Sequence, residues 1–140
     1  MSKPPAWFYV AATILIIWDC IGCYAYLSDV SMSAGDIARL PAAQQEIWNM
    51  TPAWVKSAYA IAVWIGLAGG LSLIMRRRIA QPLYIVSLIA VVLQFGWTFA
   101  ATPILSTVGS SAAAFPMFIV AIGLVEVWFS RRAAARGWLR

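Results

Sequence analysis

The chain has no histidine and only two cysteines. Without histidine it lacks the commonest metal ligand and the one side chain that titrates near neutrality unaided. Two cysteines cannot build a disulfide framework. The sequence has no His/Cys ligand spacing, no phosphate-binding glycine loop and no Ser-His-Asp arrangement. Neither a metal nor another cofactor is expected, and no enzymatic activity. Charge is scarce too: 11% of the 140 residues are charged and 63% are hydrophobic. A soluble domain takes about a quarter of its residues from Asp, Glu, Lys and Arg, so this chain could not cover a water-facing surface. Its length allows one domain. The net charge of +5 would suggest nucleic acid if it formed a stripe on a polar domain. Here the basic residues flank apolar runs, as topology signals and headgroup contacts do, and no nucleic-acid partner is expected.

The organising feature is the triplet Arg76-Arg77-Arg78, with long apolar stretches on both sides. A charge at the bilayer centre costs about 2.5 kcal/mol or more, so the triplet reads as a turn in water between two membrane spans. The predicted fold is all-α: a polytopic four-helix transmembrane bundle forming a single domain over 1–140. Spans are expected at about 7–27, 54–75, 80–101 and 112–130. The first is long enough to cross the hydrocarbon core, and Asp19 within it favours a retained anchor over a cleaved signal. The polar segment 31–50 reads as one or two amphipathic helices on the outer surface, with capping-box spacing at Ser33 and Asp36 and a break at Pro41. Pro116, inside the last span, predicts a kink. The basic tail from Arg131 to Arg140 carries a tryptophan, Trp138, that suits the interface.

Basic residues divide eight against two. Lys3, Arg76, Arg77, Arg78, Arg131, Arg132, Arg136 and Arg140 fall on one side, Arg39 and Lys56 on the other. Short cytoplasmic loops carry the excess of Lys and Arg, so a multi-pass protein of a bacterial inner membrane with both termini cytoplasmic is expected. Ala58, Ala62, Gly66 and Gly70 recur every four residues and define a helix-packing face, since small residues let helix backbones approach closely.

Asp19 is the sharpest candidate for a site, because an ionisable residue within a span usually faces the bundle interior or a water-filled cavity. Asp19 lies twelve residues in from Trp7 and Gln94 twelve in from Pro82, each about 18 Å deep at helical rise. Thr98 lies one turn beyond Gln94, and Trp64 falls at a similar level. These four residues form the expected intramembrane polar site, with two readings: a functional carboxyl, or a neutral Asp19 bonded to Gln94 that holds helices together. Glu126, near the expected end of the fourth span, reads as a partner for Arg131, Arg132 or the triplet. Cys20 and Cys23 form a C-x-x-C, but inside a membrane helix their thiols would be desolvated and inert, which favours packing.

Trp18-Asp19 followed by Gly22, Thr51-Pro52-Ala53-Trp54, the arginine run before Pro82, and Arg131-Arg132 to Gly137-Trp138-Leu139 together resemble a group of small bacterial four-span integral membrane proteins. Some members of that group are labelled sugar transporters. The resemblance implies a four-span bundle and a hint of solute transport, without a substrate. Two functions are therefore expected: a non-enzymatic bundle that self-associates or serves as an accessory subunit, and a small-solute transporter, sugar-type or proton-coupled, that uses Asp19. The expected partners are the lipid bilayer and a homo-oligomer or larger membrane complex.

Overall fold

In the computed structural model, which describes residues 2–107 and 109–140, four helices are long and apolar enough to cross a membrane. They are α1 (Ala6–Val30), α4 (Ala53–Ile74), α5 (Ala80–Ala101) and α7 (Ala114–Ala135). At one end of the bundle lie the short helices α2 (Ala34–Ala38), α3 (Ala42–Met50) and α6 (Ile104–Thr107), with a 3-10 turn at Ser110–Ala113. No strand occurs among the described residues. The long helices run up and down, each packing on the next: α1 on α4, α4 on α5, α5 on α7.

The bundle turns its apolar side outward. On α1 the exposed stripe is Val10, Ile14, Ile17, Ile21 and Tyr24, whereas the inward stripe is Phe8, Ala12, Leu15, Asp19 and Cys23. Both stripes step by three and four residues, as one face of a helix must. A helix that shows water its isoleucines and hides its aspartate is built for lipid.

The helix-packing face is buried, and its neighbours belong to the same chain. Ala58 and Ala62 are 7% and 5% exposed, and Gly66, Gly69 and Gly70 are buried with them. Ser87 Oγ of α5 donates to the Ala62 carbonyl at 2.6 Å, and Cys23 Sγ of α1 donates to the Val63 carbonyl at 3.4 Å. These consecutive carbonyls already serve the α4 ladder and use their second lone pairs, so α4 is the helix that both neighbours hold. Cys23 thus has a packing role, and both cysteines are free.

At the charged end, α4 and α7 close in the same way. Arg76 N donates to Leu73 O and Arg77 N to Ser72 O; Gly137 N donates to Ala134 O and Trp138 N to Ala133 O. Both are Schellman closures, which need a left-handed residue just past the helix. Gly137 supplies it at φ 73°, but Arg76 supplies it at φ 60° despite its side chain, at a cost of about 1–2 kcal/mol. Its guanidinium offsets this: Nε donates to Trp138 O at 2.8 Å and Nη2 to Ser2 O at 3.1 Å. Backbone bonds between Arg140 and both Arg76 and Arg78 complete a clasp that joins both termini to the α4–α5 turn. The tail therefore departs from the interfacial reading: Trp138 is 6% and Leu139 1% exposed, folded against Phe8, Leu73 and Phe129. Arg77, Arg78, Arg131 and Arg132 stay exposed around this end.

Other expectations are refined. The segment 31–50 forms two helices parted at Pro41, and Ser33 and Asp36 make the reciprocal capping box. The Ser33 backbone N–H, and then its hydroxyl, hold the Asp36 carboxyl below its ordinary range. Pro116 falls in the first turn of α7, where no intrahelical partner awaits its missing N–H. The kink expected within the last span is instead a helix start preceded by a 3-10 turn. The link between the third and fourth spans contains helix α6.

Candidate functional site

Three glycines of α4 each seat a polar side chain from a neighbouring helix. A Cβ on Gly66 would lie 3.1 Å from Ser87 Oγ and 3.3 Å from Asp19 Oδ1. On Gly69 it would meet the Tyr84 ring at 3.0 Å, and on Gly70 it would meet Asp19 Oδ2 at 3.0 Å and the Tyr84 hydroxyl at 3.4 Å. The small-residue face that reads in sequence as a packing device is also the socket for Asp19.

Above this socket the four long helices enclose a cavity of about 380 Å³. Its walls are largely apolar, with Trp18, Tyr59, Phe95 and Phe115 among them. Three of the chain's five acidic residues line it: Asp19, Asp29 and Glu126. No Lys or Arg lies among the described lining residues. Asp29 and Tyr59 line the cavity near the end that carries the short helices. Asp19 lies ten residues earlier on α1, about 15 Å deeper. The opposite end is shut by the cluster of Phe8, Leu73, Tyr84, Phe129, Trp138 and Leu139.

Asp19 and Glu126 are 7% and 4% exposed, and their carboxyls lie within hydrogen-bonding reach of each other. If both are ionised neither can donate, and Asp19 Oδ2 and the Tyr84 hydroxyl are left as buried polar atoms without a partner. One proton held between the carboxyls removes the like-charge repulsion. The other titratable groups facing Asp19 are Tyr84 from α5 and Cys23 from its own helix; α4 brings none.

Among the residues expected to form the polar site, Asp19 and Gln94 both line the cavity. They sit at different levels, because Ser87 is the α5 residue beside Asp19 and Gln94 is seven residues further, about 10 Å away. The depth count equated two helix starts that are not level. Asp19 is thirteen residues into α1, whereas Ser87 is seven into α5. Thr98 bonds the Gln94 carbonyl of its own helix. Trp64 is 42% exposed; two residues from Ala62, it points about 200° away from the packing face.

Glu126 is the principal correction. It lies within the bundle instead of pairing with arginines at the edge, because α7 runs on to Ala135. That extension puts Glu126 nine residues, about 14 Å, from the helix end. Its helical register gave a signal: Gly123, Glu126 and Ser130 share a face, and a Cβ on Gly123 would meet Leu88 at 2.9 Å. No protein-family model, curated protein or solved structure matches the chain.

Proposed function

We propose that the protein is a small proton-coupled membrane carrier whose coupling group is the Asp19–Glu126 carboxyl pair. The observation that carries this reading is the pair itself, two buried acids in contact at the floor of a cavity within a four-helix bundle. Buried ionisable residues cost stability inside a membrane and mark ion or proton pathways. A pair that holds one proton can release or regain it as a solute arrives or leaves. The reading as a self-associating bundle or accessory subunit drew on the small-residue face, and α1 and α5 already occupy that face. The basic end, with the arginine turn and both termini, fits the cytoplasmic side by the charge rule, and a bacterial inner membrane is the proposed location.

In purified vesicles with an imposed pH gradient, uptake of a neutral sugar, an amino acid and an amine tests the reading. At least one should accumulate, and a protonophore should abolish the accumulation. Asp19→Asn and Glu126→Gln keep size and hydrogen bonding but cannot titrate; each should lower gradient-driven uptake by about 100-fold or more while the protein remains folded. Uptake that ignores the gradient for all three solutes would count against a carrier, and gradient-driven uptake that survives both substitutions would count against the pair as its coupling group.

A further inference from the structure

We infer that the cavity takes an organic cation: a single positive charge on an apolar or aromatic body, seated against Asp19 and Glu126. This assignment rests on the carrier reading and adds the class of its substrate. Charge is the first argument. The cavity is lined by Asp19, Asp29 and Glu126 with no Lys or Arg among the described lining residues, so an anion entering it would meet only its own sign. A neutral sugar would leave the acids without a counter-charge and would find few donors, since the wall offers mainly Ser87, Gln94 and Tyr59 as polar neutral groups.

Size and shape come next. About 380 Å³ falls within the range of small-molecule sites, roughly 300–1,000 Å³, and far exceeds what a bare metal ion fills. Aromatic faces attract cations through their ring quadrupole, most strongly where water is excluded. Trp18, Tyr59, Phe95 and Phe115 supply such faces along the wall. Asp19 adds an independent observation: its carboxyl is more than nine-tenths buried, lines the cavity, and has its Oδ2 without a partner. A cationic nitrogen at the cavity floor would neutralise it.

The coupling follows from charge balance. The pair holding one proton carries one net negative charge, which one monocation neutralises. Fully ionised, the pair attracts a cation more strongly, so proton and cation compete. Cation affinity therefore rises with pH, by up to about tenfold per unit for one displaced proton. Asp29, ten residues along α1 at the outer end, gives an incoming cation a first carboxylate before the deeper pair.

The test is calorimetric titration of the purified full chain in detergent, corrected for micelle partitioning, with three probes that share a ring and differ in charge: benzyltrimethylammonium, benzyl alcohol and benzoate. The quaternary cation should bind at least tenfold more tightly than the other two. Being permanently charged, it also ensures that any pH dependence belongs to the protein. Its affinity should rise between pH 6 and 8, about tenfold per unit at most. Asp19→Asn should flatten that slope and weaken binding tenfold or more. Glu46→Gln, which removes an exposed acid on α3 outside the cavity, should leave both slope and affinity in place. Equal binding of benzyl alcohol, tighter binding of benzoate, or binding of none of the three would overturn the cation assignment. Those outcomes leave the carrier reading to the vesicle assay, where loss of all gradient-driven uptake defeats it whether or not the cation binds.

Discussion

Replacing Gly70 with isoleucine is expected to cost the fold about 3 kcal/mol, the upper end for overpacking. Even a single methyl there would stand 3.0 Å from Asp19 Oδ2, 3.0 Å from Ile16 Cγ1 and 3.4 Å from the Tyr84 hydroxyl. Isoleucine adds three further carbons and a stiff χ1. Ile16 and Asp19 sit on one turn of α1, so the substituted side chain would push that turn away from α4. In a bilayer little else holds the two together, since lipid is as apolar as the side chains and association depends on close packing. Displacement would also drive the Asp19 carboxyl from its seat towards the cavity or lipid. Gly96 is the matched control: on α5, a Cβ there meets nothing within 4 Å, and Gly96→Ile should leave thermal stability in detergent nearly unchanged. Similar losses from the two variants would show that the α4 glycines are not sockets.

Removal of the Trp138 side chain is the second large effect. Trp138→Ala should cost about 3–5 kcal/mol, as large-to-small changes at buried aromatics do. The ring is 6% exposed and meets Trp7 and Phe8 edge-on at centroid distances of 5.4 and 5.6 Å. Its backbone carbonyl is one of the two acceptors that hold the Arg76 guanidinium. A loosened tail would therefore also release support for the left-handed backbone of Arg76. Trp128 offers the comparison, because it is 58% exposed on the lipid-facing side of α7. Trp128→Ala should shift the thermal midpoint by much less. Equal shifts would mean that the tail contributes no more than a surface tryptophan.

Much of the architecture is legible in the sequence because hydropathy alone decides it. The arginine triplet separates α4 from α5, and four apolar runs of sufficient length follow the bilayer rule. The face of Ala58, Ala62, Gly66 and Gly70 is legible because a four-residue recurrence fixes one side of a helix. The identity of its neighbour is not, since a pattern on one helix says nothing about which helix fills it. Asp19 stands out because it interrupts an apolar run. Its partner is hidden by the end of α7: the run Arg131-Arg132-Ala133-Ala134-Ala135 reads as a basic tail beyond the span, yet alanine and arginine are strong helix formers and carry the helix on to Ala135. With the end misplaced by five residues, Glu126 reads as a surface acid. Trp138 is misread for a related reason: an interfacial and a folded-back tryptophan have the same local sequence, and only the clasp to Arg76 distinguishes them.

The central claim is that Asp19 and Glu126, far apart in sequence, are one chemical unit. A thermodynamic cycle tests it most directly, comparing the thermal or denaturant stability of Asp19→Leu, Glu126→Leu and the double variant. Each single change leaves a buried carboxyl without its partner, a penalty of about 1–3 kcal/mol, whereas the double change removes both groups together. The double variant should thus be more stable than the sum of the single losses requires, with a coupling of about 1–3 kcal/mol, within the range for residues in direct contact. Strict additivity, within about 0.5 kcal/mol, would mean that the two carboxyls do not touch and would contradict the site described above.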